Sequence, residues 1–319
     1  MIKSSLCLLC VLCAFWVSNA SATSASPVLQ LQVWLDRAGF SPGEIDGRDG
    51  SNTRRAAESY AKARALADVS QPAMLEALSA EHSNAPAITE YTVSPEDVAG
   101  PFVADIPEDL EQQASLPALG YRTPLEALAE KFHASPALLQ QLNPGARFGA
   151  SEKIQVPNVK PVADAPGDSS REGAPVGTAG TTTENVVRVS KGTSTLEVTG
   201  PDGKVIFSAP VTSGSEFDPL PIGEWKVTGV ARRPAFHYNP DLFWDADPSH
   251  AKATIKSGPN NPVGSVWIDI SKPHYGLHGS PEPSRIGKSE SHGCVRLTNW
   301  DALRLATLVR PGTPVIFTQ

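Results

Sequence analysis

The chain is short of cysteine. It has four in 319 residues: Cys7, Cys10 and Cys13 crowd the start, and Cys294 stands alone near the other end. A disulfide framework over the body of the chain is therefore excluded. Positive charge is also scarce, with 27 Lys and Arg against 34 Asp and Glu, a net charge of −7. No basic block occurs, so nucleic-acid binding has no electrostatic basis. Residues 184–319 hold 14 basic and 13 acidic side chains, which leaves the acid excess in residues 1–183. Past Val17 no stretch is apolar enough to cross a membrane.

What is present begins with Lys3, an apolar run from Leu6 to Val17, and then Ala20-Ser21-Ala22. That order reads as a cleavable signal peptide over residues 1–22. The run is too short for a spanning helix, which needs about 20 residues. No small residue directly precedes Cys7, Cys10 or Cys13, as lipid attachment normally requires. The mature chain is thus expected to be exported to the periplasm with no transmembrane anchor. Cys294 is then its one thiol in a compartment that oxidises paired cysteines. A structural cysteine there usually has a partner, so Cys294 is a candidate for chemistry.

Residues 160–183 are rich in Pro, Ala, Gly, Ser and Thr, have no aromatic residue and read as a flexible linker. Two small units precede it. In the first, over 27–82, Val28, Leu31, Gln32 and Leu35 have helical spacing and Gly39 stops that helix. A turn-rich bridge from Gly39 to Gly47 follows, and Asn52 or Thr53 is placed to cap a second helix through Ala67. This order of helix, Gly-Phe-Ser-Pro-Gly-Glu-Ile-Asp-Gly turn and Thr53-Arg54-Arg55-Ala56-Ala57 helix resembles the type-1 peptidoglycan-binding domain. The second unit, over 90–159, has two short helices ending at Asn143-Pro144, then Ile154-Gln155-Val156-Pro157. It looks like a LysM module, a binder of cell-wall glycan. It departs from that pattern in its first strand, because Tyr91-Thr92-Val93 lies far upstream of the first helix.

From residue 184 the pattern turns to strands. Val186–Val189, Thr195–Val198, Lys204–Phe207, Glu224–Thr228, Val266–Ile270 and Val315–Phe317 alternate or cluster β-branched residues. Gly200-Pro201-Asp202-Gly203 is a hairpin turn. One helix is expected from Asn299 to Val309, with Leu303, Leu305 and Leu308 inward. The fold class is a mainly β domain over 184–319, preceded by a small helical domain and a small α+β module.

A thiol attacks a carbonyl as thiolate and is mostly protonated at neutral pH, so Cys294 needs a base or cation beside it. His278 ends the strand-like Tyr275-Gly276-Leu277, and the Pro- and Gly-containing loop 281–290 can return the chain to it. Gly293 permits positive φ, and its amide, with that of Cys294, is placed to face an oxyanion. Ser291 and His292 are candidates to hold the loop by hydrogen bonds across it. Arg296 shares a side with Cys294 in an extended segment and can lower its pKa or grip a carboxylate. A low-pKa thiol would also be open to oxidation. Zinc is the rival reading of His274, His278, His292 and Cys294. On a strand, however, His274 and His278 lie about 13 Å apart at about 3.3 Å per residue, too far for bonds of about 2 Å to one ion. No metal or cofactor is expected. Tyr238 and Trp244, in a long insertion between strands, are candidates for substrate contacts; the alternative is a mini-core over the sheet.

His278-Gly279-Ser280 followed by Ser291-His292-Gly293-Cys294-Val295-Arg296 resembles the signature of the YkuD-type L,D-transpeptidases, bacterial enzymes that remodel peptidoglycan. The flanks Gly258–Gly264 and Leu297–Ala302 agree, and the resemblance covers residues 184–319. It implies a β-sandwich-like fold with its site in a cleft. It makes Cys294 the nucleophile, His278 the general base, and the Gly279 carbonyl the group that orients His278. It implies as partners a tetrapeptide stem, cut after the L-centre of its third residue, and an amine of another stem or of an envelope protein. Many members carry Asn in place of Arg296, so no acceptor preference follows. The same residues can instead pass the acyl group to water, as in an L,D-carboxypeptidase or amidase. A different class, a non-catalytic wall-binding protein, is the remaining alternative.

Overall fold

A computed structural model describes residues 25–161 and 184–319. The expected signal peptide and the linker from residue 162 lie outside the described residues. Helix α1 (Pro27–Ala38) starts where the Ser26 hydroxyl accepts from the Leu29 amide, with Pro27 in its first turn. It stops at Gly39, whose φ of 94° suits a residue without Cβ. Helices α2 (Ser51–Arg64) and α3 (Gln71–Glu81) pack with it. The expected side-chain cap on α2 is absent: Gly50 is the capping residue and makes no side-chain bond. Asn52 is used instead to hold the distant Ile286 carbonyl at 2.9 Å, and Thr53 accepts from Gln32.

Strand β1 (Ile88–Thr92) pairs antiparallel with β2 (Lys153–Pro157) across α4 (Leu110–Ala114), α5 (Pro124–Lys131) and α6 (Pro136–Leu142). Thr123 and Ser135 cap α5 and α6 by accepting from Glu126 and Leu138 amides. The upstream strand therefore does close on the last one, with an arm of chain through α4 inserted between β1 and α5. One apolar cluster runs from Leu29 to Val159 through both N-terminal units.

The C-terminal region is mainly β. Its strands are β3 (Val186–Ser190), β4 (Thr195–Thr199), β5 (Val205–Pro210), β6 (Thr212–Ser213) and β7 (Gly223–Arg232). Then come β8 (Phe236–Tyr238), β9 (Ala253–Ile255), β10 (Val266–Ile270), β11 (Gly276–His278) and β12 (Val295–Arg296), and after α7 (Asn299–Leu308) the last, β13 (Pro314–Thr318). Nine of them form one sheet in the order β5-β4-β3-β13-β7-β10-β11-β12-β6. The long β7 gives its first half to β13 and its second to β10. The two halves so joined share a core of Val187, Leu196, Phe207, Ile268, Leu277 and Phe317. Helix α7 buries Ala302, Leu305 and Ala306 on that core, with Leu303 and Leu308 only partly covered.

The other side of α7 meets the N-terminal body. Trp300 joins its core and stacks on His133, with centroids 5.0 Å apart. Residues 39–41 bond the edge strand β5 at Ser208, at 2.9 and 2.7 Å, which removes an open edge. Arg304 donates to the Asp36 carbonyl at 3.0 Å. Among the described residues no helix is long and apolar enough to cross a membrane.

Candidate active site

Strands β11 and β12 are parallel neighbours, with Leu277 opposite Val295 and His278 opposite Arg296. Side chains alternate along a strand, so Cys294, just before β12, rises on the face of Arg296 and His278, across from Gly276. Gly276 leaves room for the Trp267 ring: a Cβ there would lie 2.5 Å from it. Trp267, opposite His278 on β10, stacks on the imidazole with centroids 5.4 Å apart.

His278 is 4% exposed, and its Nδ1 lies 2.6 Å from the Gly279 carbonyl oxygen. A carbonyl only accepts, so Nδ1 carries the hydrogen and Nε2 keeps its lone pair. Burial, and next the Arg296 guanidinium, push the imidazole pKa down to about 3, against the smaller upward pull of the Gly279 bond. His278 is thus neutral at physiological pH.

Burial pushes the Cys294 thiol above its ordinary value, while a Gly276 backbone hydrogen bond and Arg296 pull it down and Asp218 adds to the rise. The lowering expected from Arg296 is present in direction. Arg296 does favour the thiolate, but loss of hydration around the anion is the larger effect.

Ser291 ties down the cysteine segment: its hydroxyl donates to the Cys294 carbonyl at 2.6 Å and accepts from the Gly214 amide at 2.7 Å. Gly293 has φ of 92°, and a Cβ on it would lie 2.6 Å from the Tyr275 ring. His292 does not bond across the loop as expected. Its Nε2 meets Asp245 of the insertion at 2.8 Å, and its ring packs on Phe243 at 5.1 Å. The Arg296 Nε is buried with no hydrogen-bond partner among the described residues.

Cys294, His278, Arg296, His292 and Tyr275 line a cleft of about 1320 Å³, with Asp109 and Leu110 of the N-terminal arm on its far wall. Tyr238 borders it but is 3% exposed, packed with Leu119 and Ile255 and bonded to His250 at 3.0 Å. It is a mini-core residue. Trp244 is not among the residues lining the cleft; it is 57% exposed and stacked on Phe217 at 4.4 Å. Trp267, Gly276 and Asp245 were not singled out from the sequence; strand alternation marks Gly276, but nothing local reveals the register that sets Trp267 against His278. Among the described residues no three His, Cys, Asp or Glu are grouped to hold a metal ion.

A mainly β domain that brings a cysteine and a tautomer-locked histidine to one cleft has an arrangement suited to chemistry at a thiol. Residues 184–317 match the model of the L,D-transpeptidase catalytic domain, YkuD. YqjB of Bacillus subtilis, named as an L,D-transpeptidase, is 32% identical over 139 residues, 42% of this chain and 70% of that protein. YkuD of Bacillus licheniformis, named likewise, is 29% identical over 197 residues, 61% of this chain and 93% of that protein. That alignment is longer than residues 184–319, so the likeness continues upstream of the catalytic domain. A solved L,D-transpeptidase from Mycobacterium smegmatis is 21% identical with a TM-score of 0.35, covering 43% of this chain and 59%, less than two thirds, of that one. The chain belongs to the L,D-transpeptidase family.

Proposed function

We propose that the protein is an exported peptidoglycan L,D-transpeptidase that works in the periplasm through a Cys294 thioester. The observation that carries this reading is the parallel pairing of β11 with β12, which sets Cys294, His278 and Arg296 on one face. Sγ of Cys294 attacks the carbonyl carbon of the third residue of a tetrapeptide stem as Nε2 of His278 takes the thiol proton. The amides of Gly293 and Cys294 receive the oxyanion, each such donor contributing about 3 kcal/mol. The intermediate collapses, the C–N bond breaks, and the terminal D-amino acid leaves with the proton from His278. An acceptor amine, from another stem or a protein lysine, then attacks the thioester. His278 removes the amine's proton and returns it to Sγ as the thioester breaks. The Gly279 carbonyl holds the productive tautomer throughout, Ser291 holds the loop, and Arg296 lies where it can meet a substrate carboxylate. The N-terminal units place the enzyme on its wall substrate.

Two measurements test this. Cys294→Ala is expected to give no covalent adduct with a tetrapeptide stem or a carbapenem by mass spectrometry, and an adduct on that variant sinks the mechanism. Peptidoglycan rich in tetrapeptides, incubated with the protein, is expected to yield dimers joined through third residues. Tripeptides alone would mean that water is the acceptor.

A further inference from the structure

Asn299, the first residue of α7, sits among three pieces of chain. Its Oδ1 accepts from the Ser265 amide at 2.9 Å and fills the space beside Gly264 and Gly279, where a Cβ on either glycine would collide with it. Its Nδ2 donates to the Pro259 carbonyl at 3.0 Å and to Glu130 Oε2 at 2.8 Å. Gly279 is the residue whose carbonyl fixes the His278 tautomer. Glu130 belongs to α5 of the N-terminal body, and its Oε1 accepts from the Tyr121 hydroxyl at 2.7 Å. The same stretch grips the loop before β10 at Asn260, which donates to the Gly120 carbonyl at 2.9 Å and to Glu126 at 3.1 Å.

We propose that Glu130 is a positioning residue for His278. By holding Asn299 against Gly279 it fixes the carbonyl that orients the imidazole, and so makes the N-terminal body part of the catalytic centre. This rests on the reading of Cys294 and His278 as the reacting pair. Without Glu130 the Asn299 side chain keeps its bonds to Pro259 and Ser265, its packing against Gly279 loosens, and Nε2 moves with the carbonyl. A displacement of about 1 Å at a reacting group can lower a rate about a hundredfold.

Burial raises the Glu130 pKa to about 7, with Asn299 and Tyr121 lowering it, Glu126 raising it and His133 lowering it. Arg122 pairs with Glu126 beside it, and Glu44, Glu282, Arg285 and Arg296 line the same cavity. As a carboxylate, Glu130 accepts from both partners. Once protonated it must itself donate, and one incoming donor loses its acceptor.

The test follows carbapenem acylation of Cys294 in the full chain by mass spectrometry. Glu130→Ala is expected to lower the maximal rate about ten- to a hundredfold while the half-saturating concentration stays within about twofold. Glu130→Gln, which like the protonated acid has one accepting oxygen and a donor, is expected to hold the rate at the level the wild type reaches below its pH step. The wild-type rate should step down as pH falls through about 7, where neither Cys294 nor His278 titrates, and Glu130→Gln should show no step. A wild-type rate in Glu130→Ala, a loss confined to half-saturation, or a step that survives in Glu130→Gln and so belongs to His133 overturns the proposal. Should Glu130→Ala fail to fold, the pH step and the Gln variant decide alone. An adduct on Cys294→Ala overturns the underlying reading instead, whatever Glu130 does.

Discussion

Two separate influences keep the imidazole of His278 uncharged: burial, and a guanidinium on the next strand. In the proposed mechanism His278 is the base and must be unprotonated to act; both influences also load the protein with a pH dependence of its own. The folded state holds His278 neutral down to about pH 3, whereas an unfolded chain takes up that proton below about 6.5. Between those limits the unfolded state binds the extra proton, so stability rises with pH across the window, at up to about 1.4 kcal/mol per unit. Urea unfolding at pH 4 and pH 6.5 measures this slope. His278→Gln is expected to be less pH-sensitive than the wild type over that interval; equal slopes would show that the histidine is hydrated and charged at pH 4.

Among the elements, the insertion from β8 to β9 is the one whose purpose the sequence leaves open. Its aromatic residues are visible as a pattern, but whether they face substrate or each other depends on what lies across from them. The arm before α5 answers this, since Leu119 and Leu110 pack on Tyr238, Phe236 and Phe243. The insertion is further fastened to the catalytic loop by Asp245 and His292. Asp245→Ala removes a half-exposed pair, so unfolding free energy should change by no more than about 1 kcal/mol. The concentration of stem peptide needed for half-maximal rate is expected to rise several-fold, because the insertion then opens from the cleft. An unchanged half-maximal concentration would mean that the pair does not hold the insertion in solution. Strands of the C-terminal domain were legible, since alternation in Val186–Val189, Thr195–Val198 and Val266–Ile270 is a local signal. The Ser-His-Gly-Cys segment was equally plain. The thiol's pKa was not, because an Arg two residues away is visible in a sequence and the depth of burial is not. The cap on α2 failed for the same reason: Asn52 suits an N-cap, but its partner is 234 residues away at Ile286.

At the scale of the whole molecule, a Pro- and Gly-rich stretch suggested two regions joined by a tether, yet the described residues pack as neighbours around α7. Three contacts bind them near the site: Glu130 on Asn299, Trp300 in the N-terminal core, and the arm on the loop before β10. The last includes, besides the Asn260 side chain, two backbone bonds, the Leu119 amide donating to the Ser257 carbonyl at 3.1 Å and the Asn260 amide to the Leu119 carbonyl at 3.0 Å. Gly258 lies between these bonds with φ of 151°, and a Cβ on it would fall inside the Leu119 carbonyl group. Backbone cannot swing aside as a long side chain can, so Gly258→Ala must push the arm off the loop. The apolar cluster of Leu119, Tyr238 and Ile255 then opens to water, and the far wall of the cleft, Asp109 and Leu110, goes with it. The expected result is faster hydrogen exchange at the Leu119 and Asn260 amides, with protection unchanged in β3, β4 and β13. Acylation by a small carbapenem should fall less than turnover of a stem peptide, which needs the whole cleft. Unchanged exchange at Leu119 would show that the loop, not the arm, yields to the new methyl group, and that the two regions are held together elsewhere.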